Sequence, residues 1–199
     1  MQDGTKIKSG RGRPRAFDRE QALLAAMRLF QTQGYSGTSL DDLANAMGIK
    51  RSSLNNTFGN KLALYQHTLA LYEQRMGEQL TQRLFGGAEL AESLNDYFSA
   101  LIAIYCQEGG QGCFFTTTLP CVLRTEQTLQ ETFMANHTAL ESMFLARLQQ
   151  AGHQDEQAEI SAQLLLALQH TLSLRARAGV SQAALLKLSC AAIARILAA

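Results

Sequence analysis

Residues Gly12 to Leu64 read GRPRAFDREQALLAAMRLFQTQGYSGTSLDDLANAMGIKRSSLNNTFGNKLAL, and this stretch decides the fold. Asp18 is a good helix N-cap, because its carboxylate accepts a backbone N–H that the first turn leaves open, and Gln21 stands at the capping-box position. Leu23, Ala26, Met27 and Phe30 follow at i, i+3, i+4 and i+7, one apolar face of a helix that Gly34 is placed to end. Thr38 is expected to cap the next helix, whose buried stripe is Leu40, Leu43, Ala44 and Met47. Gly48 then breaks the chain, Ile49 anchors the turn, and a short helix is expected from about Lys50 to Thr57, ending near Phe58 and Gly59. Two short helices about a glycine-containing turn make a helix-turn-helix. Asn60 caps a fourth helix continuing through Leu64, Leu71 and Leu80 to about Phe85.

Such a motif reads sequence by laying its second helix in the major groove, while flanking groups hold phosphates. Lys50 and Arg51 bring charge to the entrance of that helix. Ser52, Ser53, Asn55 and Asn56 supply donors and acceptors with the reach of base edges, and an asparagine can bond adenine bidentately. Thr38 and Lys61 stand at helix starts, where open N–H groups and the helix dipole favour a phosphate. Upstream, residues 1–15 form a basic arm expected to be flexible, in which Arg11, Arg13 and Arg15 alternate with Gly12 and Pro14. Arg11 to Arg15 carries no bulky side chain and resembles the core of an AT-hook, suited to a narrow A·T-rich minor groove or to non-specific contact with the DNA backbone.

The charge agrees with a polyanion-binding head. Residues 1–62 hold 10 Lys+Arg against 5 Asp+Glu, or +5, and residues 63–199 hold 8 against 12, or −4. The net charge of +1 therefore hides a basic head on an acidic body.

Three pieces of the quoted stretch carry a resemblance: the A-A-x-x-L-F…G-Y-x-G-T-S opening, the L-D-D-L-A-x-A-M-G-I turn and the closing S-L-x-x-x-F-x-x-K. Together they resemble the DNA-binding domain of the TetR family of bacterial repressors. The resemblance implies an all-α chain, with a helix-turn-helix domain at 16–62 and a helical effector-binding and dimerisation domain at 63–199. It implies a homodimer paired through its last two helices, which binds a pseudo-palindromic double-stranded operator and is released by an effector bound after Gly87. By motif match, Thr38 and Lys61 would hold phosphates, and Lys50 to Asn56 would form the recognition helix. One position departs from the pattern: Asn55 stands where the family usually has a tyrosine that contacts the DNA backbone.

The rest of the chain reads as helix. Ala88 to Gln107 is followed by the loop Gly109-Gly110-Gln111-Gly112, a short apolar segment Cys113 to Leu123 ended or kinked around Pro120, and helices over Glu126 to Ala151 and Glu156 to Ala178. Ser181 caps the last. Leu164, Leu165, Leu168, Leu172 and Leu174, then Leu185, Leu186, Leu188 and Ile193, make the last two helices apolar over more than one face, so they must be buried on two sides. Gly112-Cys113-Phe114-Phe115 is similar to the start of a ligand-domain helix in many family members. Phe98, Tyr105, Phe114, Phe115, Phe133 and Phe144 are candidate walls of an apolar ligand pocket.

The four cysteines form no C-x-x-C pair, and His67, His137, His153 and His170 stand at no zinc-finger spacing beside them, so no metal or cofactor is expected. The stretch around Tyr105-Cys106-Gln107-Glu108-Gly109 is similar to members that respond to oxidants or electrophiles. On that reading Cys106 is attacked, Cys113 or Cys121 resolves it, and Arg175 and Arg177 favour its thiolate. Cys190 is expected in the core.

Composition excludes several classes. With 46% hydrophobic residues and a mean hydropathy of −0.09, the chain is neither disordered nor a bundle of membrane spans. No apolar run approaches the ~20 residues of a membrane span, and no secretory signal is seen, so a cytoplasmic protein with reduced thiols is expected. Two other classes stay open: a structural protein coating A·T-rich DNA, and a cysteine-based redox enzyme. No phosphate loop or metal motif supports an enzyme.

Overall fold

The computed structural model describes residues 18–87, 89–107, 110–154 and 156–198, which form nine α-helices and no strand among the described residues. Arg11, Arg13 and Arg15 lie outside the described residues. The order is α1 (Arg19–Gln33), α2 (Leu40–Ala46), α3 (Arg51–Phe58), α4 (Lys61–Gly86), α5 (Leu90–Cys106), α6 (Phe114–Thr118), α7 (Gln127–Gln150), α8 (Glu156–Arg177) and α9 (Gln182–Ile196).

Local signals explain the boundaries. The Asp18 carboxylate accepts from the Glu20 and Gln21 amides at 3.0 and 3.2 Å, opening α1. Gly34 closes it, its N–H reaching the Phe30 carbonyl at 2.8 Å. The cap of α2 corrects an expectation: it is Ser39, not Thr38. Ser39 accepts from the Asp42 amide at 3.1 Å while the Asp42 carboxylate accepts from the Ser39 amide at 3.0 Å, a reciprocal capping box. Thr38 is buried and turns its hydroxyl inward onto the Gly34 carbonyl at 2.7 Å. Gly48, at φ +67°, supplies the left-handed residue of the turn between α2 and α3. Asn60 opens α4 by accepting from the Ala63 amide, and Ser181 opens α9 by accepting from the Ala184 amide.

One continuous core runs from the head, α1 to α3, into the body. α4 belongs to both, packing on α1 and on α5. A run of rings marks the junction: Phe30 and Tyr35 meet Tyr65 with centroids 4.8 and 5.0 Å apart, Tyr65 meets Phe114 at 5.4 Å, and Phe114 meets Tyr72 at 5.8 Å. Tyr65 and Thr118 also share a hydroxyl hydrogen bond.

In the body, α5 packs against α4, α8 and α9, and α7 against α8. α9 buries Leu185, Ser189 and Ile193 at i, i+4 and i+8. Cys190, one position round the helix from Ser189, is therefore exposed rather than in the core. On α8, Leu165, Leu166, Leu168 and Leu172 are buried, whereas Ile160, Leu164 and Leu174 remain exposed on the outer face. No helix among the described residues is long and apolar enough to cross a membrane.

Candidate nucleic-acid interface and ligand cavity

The head presents α3 as an amphipathic rod. Leu54 and Phe58 anchor it in the core, and Arg51, Ser52, Asn55, Asn56 and Thr57 face solvent, with Ser53 half-buried. Lys50, the residue before the first turn, is exposed. The six expected readers, Lys50 to Ser53 with Asn55 and Asn56, thus lie together on one short helix and its entrance. Arg51 is tied to Asp41 of α2 at 2.6 Å, but both side chains are more than half exposed, and such a surface pair is weak enough to yield to a phosphate.

The two flanking phosphate candidates differ from the simple expectation. In this conformation Thr38 spends its hydroxyl proton on Gly34. Ser39, exposed at the start of α2, likewise donates its hydroxyl, to the Asp42 carboxylate at 2.6 Å, and its bonds hold the Asp42 carboxyl below the usual carboxylate range. Lys61 lies over the Tyr35 ring, its Nζ 4.5 Å from the centroid. Burial lowers its ammonium pKa, and Glu126, beside the start of α7, opposes that shift.

A cavity of about 240 Å³ opens between α4, α5, α7 and α8. Its apolar wall includes Met76, Leu80, Leu101, Phe115, Leu140 and Met143. Its polar groups are Tyr72, Tyr97, Tyr105, Cys113 and Gln169 inside, and Glu73, Thr81 and Asn136 toward solvent. Tyr97 donates to the Gln169 carbonyl oxygen at 2.8 Å, and Asn136 donates to the Glu73 carboxylate at 2.9 Å. Burial, then the neighbouring Cys113 thiol, raises the hydroxyl pKa of Tyr72, Tyr97 and Tyr105.

Of the six aromatic candidates, Tyr105 and Phe115 line this cavity and the other four do not. Phe98 and Phe144 stack on each other in the core, centroids 5.9 Å apart. Phe114 is spent on Tyr65 and Tyr72, and Phe133 packs against His137. Sequence reading missed the methionines and leucines of α4 and α7 and the Gln169 amide.

The thiols stand in three environments. Cys113 is buried on the cavity wall, Cys106 is half-buried at the end of α5, and Cys121 is exposed; all are free. Burial pushes the Cys106 thiol up. The Arg177 guanidinium bonds the carbonyls of Gln31 and Gln111. The loop before Cys113 is locked to α8: the Cys113 amide donates to the Ser173 hydroxyl at 2.7 Å, and a Cβ on Gly112 would lie 2.7 Å from the Ser173 carbonyl oxygen.

Comparison with known proteins places this geometry. Residues 22–68 match the family model described as bacterial regulatory proteins, tetR family. The chain is 31% identical over 190 residues to the HTH-type transcriptional repressor ComR of Escherichia coli (strain K12), covering 92% of this chain and 90% of ComR. It is 33% identical over 103 residues to the HTH-type transcriptional repressor BdcR of the same organism, about half of each chain (51% and 52%). Among solved structures, a cysteine mutant of the TetR family transcriptional regulator CifR, complexed with 26-bp double-strand operator DNA, superposes with a TM-score of 0.80 at 27% identity, covering 91% of this chain and 98% of CifR.

Proposed function

As a member of the TetR family of bacterial regulatory proteins, to which this chain belongs, the protein is a DNA-binding transcriptional regulator, and we propose that it is an effector-released repressor acting as a homodimer on a pseudo-palindromic operator. The exposed polar face of α3, seated on buried Leu54 and Phe58, carries this reading. Lys50, Arg51, Ser52, Ser53, Asn55 and Asn56 read and hold the DNA, and Thr38, Lys61 and the basic arm brace phosphates. The open apolar stripe of Ile160, Leu164 and Leu174 on α8 supports pairing through the last two helices. Repression is supported by the names of ComR and BdcR.

The effector enters the cavity between α4, α5, α7 and α8. The ring run from Tyr72 through Phe114 and Tyr65 to Phe30 and Tyr35 links that cavity to the head, so a ligand that shifts α4 or α6 reorients α3. A footprint on the operator tests the assembly. Two protected half-sites about one helical turn apart are expected of a homodimer; a single protected half-site would contradict it.

Cys113 on the cavity wall favours a second reading of the effector, a thiol-reactive compound. The sequence pointed to Cys106 as the attacked thiol, whose burial disfavours the thiolate. Release of DNA by a mild electrophile, measured in Cys106→Ser and Cys113→Ser variants, separates the two. Release surviving in both variants would remove those two thiols from the mechanism.

A further inference from the structure

We propose that the cavity takes a small uncharged molecule, built as one ring or short chain with a single hydroxyl or carbonyl end, and rejects organic anions of the same size. This rests on reading the cavity as the effector site and names the chemistry of its ligand. At about 240 Å³ it falls below the ~300–1,000 Å³ usual for drug-sized ligands.

The charge of the lining sets the class. Among the described residues no lysine, arginine or histidine lines the cavity, and the one ionised lining group is Glu73, an exposed carboxylate toward the opening. The Arg147 guanidinium, buried nearby in the body, is turned to the Leu84 carbonyl and the Ser93 hydroxyl and does not line the cavity. Tyr72, Tyr97 and Tyr105 are held as neutral phenols by burial. An anion entering would leave its hydration, pass a carboxylate and meet no cation, so nothing offsets its desolvation. An ammonium is attracted at the opening, but inside it meets no carboxylate.

The polar end of the ligand is placed by Gln169. Its carbonyl oxygen already receives the Tyr97 proton, so the amide offers N–H donors, and the Tyr97 oxygen keeps a lone pair for an incoming hydroxyl. The apolar body of the ligand then lies among Met76, Leu80, Leu140 and Met143. A hydroxyl or carbonyl fits this end because it can accept from the amide without bringing charge.

Four probes of similar size test the proposal on the full chain by calorimetry and thermal shift at neutral pH: p-cresol, toluene, benzoate and benzylamine. Saturable binding of p-cresol is expected, about fivefold tighter than toluene and at least about tenfold tighter than either ion. Ala139→Phe, a change at an exposed lining position, should remove p-cresol binding while leaving the unfolding temperature of the free protein in place. Benzoate or benzylamine binding as tightly as p-cresol, toluene matching it, p-cresol binding that survives Ala139→Phe, or no binding by any probe at millimolar concentration would each overturn the proposal. Binding of p-cresol in the expected order with operator affinity unmoved would uphold the ligand class and refute the effector role.

Discussion

Arg177, in the last turn of α8, donates through Nη2 to the carbonyl of Gln31 in α1 at 2.9 Å. Its other arm, Nη1, donates to the carbonyl of Gln111 at 3.3 Å, in the loop that leads to Cys113. One guanidinium therefore ties the head to the body and to the segment bordering the cavity. Arg177→Ala should uncouple them. The ratio of operator affinities without and with effector is expected to fall toward one, while the unfolding midpoint stays nearly unchanged because the group is exposed. An intact ratio would show that coupling runs through the aromatic junction alone.

Asn55 is exposed on α3, at the position where the family resemblance implies a tyrosine on the DNA backbone. Asn55→Tyr is expected to tighten operator binding by about 1–2 kcal/mol, the worth of one charge-assisted hydrogen bond to phosphate. Lys50→Ala should weaken binding to all sequences and reduce the salt slope by about 1. Titrations at several salt concentrations check both.

Gly112 and Gly48 both have positive φ, yet their surroundings differ. A Cβ at Gly48 meets nothing within 4 Å, so Gly48→Ala should cost about 1 kcal/mol from backbone strain alone. At Gly112 the Cβ would also lie 2.7 Å from the Ser173 carbonyl oxygen, and Gly112→Ala should cost at least about 2 kcal/mol. Urea unfolding of the two variants measures the difference.

His170 packs beside His137, ring centroids 5.6 Å apart, and His137 stands 3.9 Å from Glu141. Burial and then the neighbouring His137 lower the His170 pKa from its ordinary 6.5. Just below that value the unfolded chain binds the proton and the folded chain does not, so stability is full above it and falls as pH drops through the window. The urea midpoint is expected to decline as pH falls through the unfolded value of 6.5 toward the lowered folded one. His170→Gln should flatten that decline; an equal decline in the variant would assign it to other groups.

The head was legible because its signals are local. Asp18, Gly34, Gly48 and Asn60 act within a few residues of themselves, and the 3.6-residue stripes name their own buried faces. Even there, two adjacent capping residues competed at α2. The pair Ser39 and Asp42, three apart, was the readable sign that Ser39 wins and frees Thr38 to turn inward. The cavity was legible only in part, because its walls come from four helices whose relative rotation no local pattern records. Phe98 and Phe144 look like pocket residues by composition and are instead stacked on each other. Arg147, buried with its guanidinium on the Leu84 carbonyl and the Ser93 hydroxyl, had no sequence signal, since its partners lie more than fifty positions away.

The central claim is that α3 reads a specific operator. The direct measurement is a titration of the full chain against a duplex from upstream of its own gene and against a scrambled duplex, at ~150 mM salt where non-specific binding is weak. The account predicts binding to the native duplex tighter by about 10³ or more, lost when Asn55 and Asn56 are both changed to alanine. Equal affinity for the two duplexes, unaffected by those changes, would contradict it.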